Sequence, residues 1–554
     1  MTEPNKDPKL AAAPDQARAA GRGGLAVLVA KVFFLVSGLG QQALLPRAIG
    51  DANWGALSLL LALSNVFNNV VVSSSTQGVS RTVAAAGTSE REALRATLCV
   101  HLVIAVVAAV LLAVATPLYA HFVKAPEIIA PLLVMTGVLF IYGVYAPLVG
   151  YLNGRGLFAR QASLDIAAAT LRTTLLLGVG WLFARRAGSI ATAIGTLPGV
   201  LGATVGMVIA SLGVFLLALR WTGTGKPFGG PRPAGVPGVR TYLALILPIM
   251  VAQLFTNGLM QADIMFLGRY LSLSAADNVA SVALLFPALT PAQAVRRVAN
   301  EWVAVYRACQ LFAFLPYQML FSVTQVLFPM LARAKAEGGE KRVTELVGRG
   351  CRIGAIVCGL LVVVVLAMPG SLIKLAYGPE VALRGAATLR VLAVGQAAFA
   401  MLGLATTVLV SLGRERTALT ITATALALLA ATCVVIVPMA PFGAPQLLAT
   451  ATATTTALGG ALVVGVFAVR KVAGAFVPWK TALRVGLCVA GAFALGGVMP
   501  MWPGGDGAYS KLLTPVAAAG VGLLYLATLV VTGELGKSDL ALIVSIAARR
   551  RAKG

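Results

Sequence analysis

The stretch TLCVHLVIAVVAAVLLAVATPL (Thr97–Leu118) runs for 22 residues without an Asp, Glu, Lys or Arg. Wound as an α-helix at about 1.5 Å per residue it spans roughly 33 Å, which matches the ~30 Å hydrocarbon layer of a bilayer. It has many counterparts in this chain. Comparable segments are expected near 25–45, 56–79, 128–150, 161–184, 191–219, 241–264, 303–331, 350–369, 387–412, 417–438, 443–469, 482–500 and 512–532, which makes fourteen spans with 97–118. Each is expected to be helical, because lipid offers no water to satisfy open backbone groups. Composition agrees, since 58% of the 554 residues are hydrophobic, only 11% are charged and the mean hydropathy is +0.89. Soluble domains carry about 25% charged residues. The fold class is therefore an all-α polytopic membrane protein.

A formal charge of +25 raises the question of nucleic acid. The placement of the 44 Lys and Arg residues answers it. Arg352, Arg390 and Arg484 lie within four residues of a span end and are assigned here to their adjoining loops. On that basis 30 basic residues fall on the side of the N-terminal tail, 11 on the other side, and Lys31, Arg172 and Arg307 within spans. This is the positive-inside pattern with an even span count, so both termini are expected in the cytoplasm. Basic residues dispersed over short loops do not form a nucleic-acid surface, and no nucleic-acid partner is expected.

Residues 1–23 are rich in Ala, Pro and charge and precede the first span without a signal-peptide pattern, so a disordered cytoplasmic tail is expected. The six cysteines, Cys99, Cys309, Cys351, Cys358, Cys433 and Cys488, lack metal or redox spacing and read as buried thiols. With His101 and His121 the only histidines, neither a histidine metal site nor a triad is expected. GTGKPF at Gly223 lacks the Walker spacing and the hydroxyl residue after the lysine, so no nucleotide motor is expected either. No cofactor is implied.

Between spans six and seven lies WTGTGKPFGGPRPAGVPG (Trp221–Gly238), whose six Gly and four Pro cannot continue a helix and suit a linker. The loops NGRGLFARQAS (Asn153–Ser163) and LGRERTALT (Leu412–Thr420) lie six spans apart, and each pairs Gly-Arg (Gly154-Arg155 and Gly413-Arg414) with a second Arg and an Ala/Thr-rich helix. An internal duplication with parallel halves follows as an expectation. The division is a tail at 1–23, an N-lobe of spans one to six at 24–220, a cytoplasmic linker at 221–240, a C-lobe of spans seven to twelve at 241–470, spans thirteen and fourteen at 471–535, and a basic amphipathic tail at 536–554. That tail ends in Arg549-Arg550-Arg551 and suits anionic headgroups. Span six carries Gly195, Gly199, Gly202 and Gly206 around Pro198, which reads as close helix packing or as a hinge.

Charges inside spans cost about 2.5–3.5 kcal/mol even on the lenient insertion scale, so they mark candidate sites. Arg172 is placed ~16 Å into span five. Asp165 precedes it by seven residues on the same helical face, so the two read either as a structural ion pair or as a guanidinium facing a polar cavity, with a fork suited to phosphate. Lys31 reads as a cavity group or as a lysine snorkelling to the interface. Span two supplies Asn65 and Asn69 on one face, span seven Gln253, Asn257 and Gln261 at i, i+4 steps with Asp263 beyond, and span eight Gln318 and Gln325. Such stripes read as interhelical hydrogen bonding or as the lining of a shared cleft. Arg47 ends the first span. Asp165 and Asp263 are the candidates for coupling an inward ion.

KVFFLVSGLGQQALLPRAIGDANWGALSL (Lys31–Leu59) and GVSRTVA (Gly78–Ala84) resemble the opening of the polysaccharide-biosynthesis flippases of the multidrug/oligosaccharidyl-lipid/polysaccharide (MOP) exporter superfamily. The match lies in Leu45-Pro46-Arg47-Ala48-Ile49-Gly50 and Trp54-Gly55-Ala56-Leu57-Ser58. LPIMVAQLFTNGLMQADIMFLG (Leu247–Gly268), VAVYRACQL (Val303–Leu311) and VLFPMLARAKAEGGEKR (Val326–Arg342) resemble that family's seventh and eighth helices and the following loop. Trp54 and Ile49 replace commoner residues, and Leu271–Ala299 reads as an insertion into a usually short loop.

The resemblance implies a two-lobed, non-enzymatic transporter of the bacterial inner membrane. It would move a polyprenyl-pyrophosphate-linked oligosaccharide to the outer leaflet by alternating access, in O-antigen, capsule or exopolysaccharide biosynthesis. Arg172, Lys31 and Arg47 would meet the pyrophosphate, and Asn65, Asn69, Gln253, Asn257 and Gln318 the sugar hydroxyls. Polysaccharide polymerase or assembly proteins are implied partners besides the bilayer and the substrate. The alternatives are a peptidoglycan lipid-precursor flippase or a cation-coupled drug antiporter of the same superfamily. A membrane glycosyltransferase, polymerase or ligase would want a large outer loop with acidic or histidine groups, and the outer loops here are mostly short.

Overall fold

A computed structural model of the chain describes residue 33 and residues 36–86, 90–186, 188–223, 238–503 and 508–536. The expected N-terminal tail, Lys31, residues 224–237 of the linker and residues 537–554 lie outside the described residues. Among the described residues the regular elements are all helices, and twelve of them are long and apolar enough to cross a membrane. The two further expected spans are helical but differ in detail. The first is described as a helix only at 36–49, running on to the boundary at Gly50, and the eighth is two helices, Pro291–Ala313 and Leu315–Ala336, interrupted at Phe314. Pro316 explains the interruption: proline has no N–H to donate into the preceding turn and is accommodated where it stands, in the first turn of a new helix.

By packing, the chain forms two units, one of Met1–Gln261 with Ala275–Ala304, the other of Ala262–Ser274 with Val305–Gly554. In the first unit α1 (36–49) leads through Gly50 into α2 (Asp51–Ala85), followed by α3 (Glu90–Val123), α4 (Ile129–Gly154), α5 (Phe158–Arg186), α6 (Pro198–Thr222) and the first part of α7 (Val239–Asp277). The first part of α8 (Pro291–Ala313) also belongs here. α3 shows how the apolar surface is divided. Leu94, Leu98, Ala105 and Leu112 are buried, whereas Val103, Val107, Val110, Val114 and Leu118 form a continuous exposed stripe, with Leu118 70% exposed. Such a row, at helical spacing on a helix long enough to span, is the side expected to face lipid.

Small residues set the helix separations. In the α5–α6 pair a Cβ at Gly206 would overlap the Leu175 carbonyl, and one at Gly202 would stand 2.6 Å from the Val179 oxygen. Gly199, Gly202 and Gly206 therefore serve close packing. Gly195 does not belong to that row, because it lies in a turn with φ +66°, and Pro198 opens α6 instead of bending it. The segment read as an insertion, 271–299, is largely helical. α7 continues to Asp277, a short helix covers Val279–Leu285, and α8 begins at Pro291, with Val282, Ala294 and Ala299 buried.

The second unit contains α9 (Leu315–Ala336), α10 (Glu340–Ala367), α11 (Pro379–Ser411), α12 (Glu415–Ile436), α13 (Ala444–Ala473), α14 (Trp479–Val498) and α15 (Ala508–Val531). α11 and α13 lie close at Gly395, where a Cβ would meet Thr455 at 2.6 Å, and the Thr455 hydroxyl donates to the Val391 carbonyl at 2.9 Å. α14 and α15 both pack on α10. Beyond α15, Glu534 accepts from Arg352 Nε at 2.8 Å, Arg484 Nη1 at 2.7 Å and Thr481 Oγ1 at 2.6 Å, while Arg352 Nη2 reaches the Glu534 carbonyl. Two arginines assigned by sequence to loops are thus consumed in a buried cluster.

The two Gly-Arg loops are both Schellman caps, but in a register that the sequence pairing does not give. Leu157 N donates to Leu152 O and Gly156 N to Asn153 O, as Arg414 N does to Leu409 O and Gly413 N to Val410 O. The left-handed residues are Gly156 (φ +70°) and Gly413 (φ +68°), so the counterpart of Gly413 is Gly156. Gly154 is instead the last helical residue of α4, pressed against Ser80 and Val83. Of the cysteines, Cys309, Cys351, Cys358 and Cys433 are buried as expected, but Cys99 is exposed and Cys488 half-buried, so these two depart from the expectation of buried thiols because their positions on α3 and α14 do not face the packed core.

Candidate functional site

In the first unit three residues of the expected polar stripes meet directly. Asn69 Nδ2 on α2 donates to Asn257 Oδ1 on α7 at 2.7 Å, and Asn257 Nδ2 donates to the Gln253 carbonyl at 2.8 Å and to its Oε1 at 3.1 Å. The i, i+4 spacing of Gln253 and Asn257 places both on the α7 face turned to α2. Asn65, one turn from Asn69, is half-buried. Two further amide oxygens on these helices, Asn68 Oδ1 on α2 and Gln261 Oε1 on α7, are buried and accept no protein hydrogen bond. Unsatisfied buried amide oxygens cost ~1–3 kcal/mol each, which makes these two atoms receptive to hydroxyl donors.

Arg172 lies half-buried on α5. Its charge acts on the Tyr142 hydroxyl of α4, and that of Asp165 acts on Tyr145, with the two tyrosine rings edge to face at 5.8 Å. The neighbouring Thr173 ties α5 to α1, sharing a hydrogen bond with Ser37 at 3.0 Å and donating to Gln41 at 3.3 Å. A guanidinium, a carboxylate and two phenols thus line one α4–α5 seam. Arg47 is exposed near the end of α1, and Gln318, in the second unit, is exposed on α9. The Gln325 side chain lies outside the described residues.

Asp263 belongs to the second unit and is 1% exposed. Its carboxylate accepts from Tyr306 Oη at 2.8 Å, from Gln310 Nε2 at 3.0 and 3.1 Å, and from the Ile264 amide at 2.8 Å. Arg307 Nη1 donates to Gln310 Oε1 at 3.0 Å, which brings the other charge expected within a span into the same cluster. Tyr306, Arg307 and Gln310 follow one another on α8 at spacings that share a face, and their partnership with Asp263 was not assigned from sequence. The signal was present in VAVYRACQL, where a tyrosine and a glutamine stand four apart around a deep arginine.

His101 is buried between the Ser75 hydroxyl at 3.0 Å and the Tyr242 hydroxyl at 2.6 Å, an interhelical bridge. Among the described residues no group of three His, Cys, Asp or Glu side chains is arranged to hold a metal ion.

A family model described as "Polysaccharide biosynthesis protein" matches residues 20–335, more than half of the chain. No match exists among curated protein sequences. Several solved structures share the fold. The lipid II flippase MurJ in an inward closed conformation is 12% identical with a TM-score of 0.65, covering 91% of this chain and 98% of its own. An outward-facing multidrug resistance MATE family transporter of the MOP superfamily is 13% identical with a TM-score of 0.52, covering 85% and 96%. A MOP superfamily transporter from Pyrococcus furiosus, described as having a binding pocket of reverse polarity, is 13% identical with a TM-score of 0.51, again covering 85% and 96%. At these identities the likeness concerns the fold, which is that of the MOP transporters.

Proposed function

This chain belongs to the polysaccharide biosynthesis protein family of MOP-type transporters, and we propose that it flips a polyprenyl-pyrophosphate-linked oligosaccharide from the cytoplasmic to the outer leaflet of the bacterial inner membrane. In this reading both termini are cytoplasmic, access alternates between the two sides, and the glycan is destined for O-antigen, capsule or exopolysaccharide, handed on to polymerase or assembly proteins. The observation that carries it is Arg172, a half-buried guanidinium within a span, in the unit whose α2 and α7 hold unsatisfied amide oxygens. A pyrophosphate cannot enter hydrocarbon bare, and a guanidinium fork replaces its hydration. Sugar hydroxyls supply the donors that Asn68 and Gln261 lack. Six-helix lobes with a two-helix appendage, and inward ion coupling at Asp263 or Asp165, complete the proposal.

The test is transport of lipid-linked sugar in proteoliposomes by Arg172→Ala and Arg172→Lys. The alanine protein is expected to lose at least tenfold in rate and the lysine protein to retain part of it, since a point charge replaces the fork only partly. Wild-type transport by Arg172→Ala at wild-type abundance sinks the phosphate role of this residue. A second reading, a peptidoglycan-precursor flippase, is supported by the greater fold likeness to the lipid II flippase. The same vesicles loaded with lipid II in place of the oligosaccharide lipid decide between the two by relative rate.

A further inference from the structure

A recess lies at the opposite end of the first unit from the Gly-Arg loop, formed by the α1–α2 turn, the α3–α4 turn, the start of α6 and the first turns of α8. It holds about 580 Å³, within the roughly 300–1,000 Å³ of small-molecule sites. Its wall contains Glu127, a carboxylate only 5% exposed. One oxygen, Oε1, accepts from Asn300 Nδ2 at 3.0 Å, and the Thr196 hydroxyl fixes the Glu127 carbonyl at 2.6 Å. The other oxygen, Oε2, is buried and has no hydrogen-bond donor, its nearest cation being Arg296 Nη1 at 3.9 Å. Asn53 Oδ1, in the same wall, is likewise buried without a donor. The site is rigidly built, because Gly55 lets α2 approach the Asn300 backbone so closely that a Cβ would overlap its carbonyl.

Two unsatisfied acceptors beside a guanidinium define the ligand's chemistry. A metal ion or ammonium is disfavoured, because Arg296 already compensates Glu127, and an anion would meet the carboxylate. A hydroxyl fits both, donating to Glu127 Oε2 and accepting from Arg296 Nη1, since the 3.9 Å gap is too long for a direct bond and admits an oxygen about 2.8 Å from each. A second hydroxyl would satisfy Asn53, while Leu197 and Leu289 offer apolar sides to ring carbons.

We propose that this recess is a carbohydrate subsite on the outer face, binding the sugar portion of the translocated lipid independently of its pyrophosphate. The proposal rests on the flippase reading for its ligand and on the positive-inside orientation for its side of the membrane.

The experiment is isothermal titration of the purified full chain with the oligosaccharides released by mild acid from the host's own surface polysaccharide. Wild type is expected to bind saturably, and Glu127→Gln and Arg296→Ala each to bind at least tenfold more weakly. Glu127→Gln keeps an acceptor for Asn300, and Arg296 is 38% exposed, so an unaltered thermal midpoint confirms that both variants are folded. Absence of wild-type binding, undiminished binding by the folded variants, or displacement of the glycan by sodium or tetramethylammonium chloride each overturns the proposal. Failure of the flippase reading looks different: vesicles that move no lipid-linked glycan, with free glycan still bound, remove the transport reading and leave the subsite.

Discussion

Glu534 is nearly excluded from solvent yet surrounded by two arginines and a threonine. Burial alone would raise its carboxyl, but the hydrogen bonds from Thr481, Arg352 and Arg484 and the charge of Arg352 outweigh it, holding the group below its ordinary value of 4.5. A carboxyl depressed in the folded state contributes stability above its unfolded value and loses it as pH falls through the folded one. The thermal midpoint of the detergent-purified protein should therefore fall on acidification below about pH 4.5, and Glu534→Gln should lower the neutral-pH midpoint and flatten that acid limb. The expected loss is about 2 kcal/mol, the scale of hydrogen bonds to charged groups. An unchanged acid limb in the variant removes Glu534 as its source. Asp263 depends similarly on its donors, and Tyr306→Phe withdraws one. A loss of about 1–3 kcal/mol is expected, read as a lower thermal midpoint.

At the scale of the element, the α5–α6 pair depends on the absence of side chains along one face. Gly206→Val should cost about 1–3 kcal/mol by overpacking and reduce the monodisperse yield, because the Leu175 backbone cannot retreat as a side chain would. Gly213→Ala is the control, since its Cβ would meet only Leu171 Cδ1 at 3.5 Å, and it should be neutral or slightly stabilising. Equal yields for the two variants refute the close-approach account. Most helices were legible because hydropathy is additive along the chain and the membrane enforces helix wherever it is high. The break at Phe314 was not, because apolar residues continue across it and only Pro316 betrays it. The extent of α7 escaped for the opposite reason: its polar last turns, through Ser274 and Asp277, stay helical after the hydropathy has declined.

For the whole molecule, the exposed apolar stripe of α3 shows the chain's solvent to be lipid, and that much was read from composition alone. The candidate site was legible by residue type but only partly by partnership. Asn69, Asn257 and Gln253 were chosen for stripes that do meet, whereas the donors to Asp263 and the Glu127–Asn300 contact join residues 43 and 173 positions apart. No local periodicity encodes such pairs. The transport proposal also makes a prediction at this scale. Carrying about two negative charges outward gains roughly 4–5 kcal/mol per 100 mV of inside-negative potential. Proteoliposomes polarised with potassium and valinomycin should therefore flip lipid-linked glycan faster as the interior becomes more negative. A rate indifferent to potential shows that compensating cations travel with the substrate.

The Glu534 cluster has a consequence for biogenesis. Arg352 emerges from the ribosome 182 residues before its carboxylate partner. At roughly 5–20 residues per second, it must wait on the order of 10–40 s for that partner. During that interval the bond that ties α10 to the segment after α15 cannot form, so this part of the second unit closes last. A chain halted before residue 534 lacks the carboxylate that Arg352 and Arg484 share, and with it the tie between α10, α14 and the segment after α15.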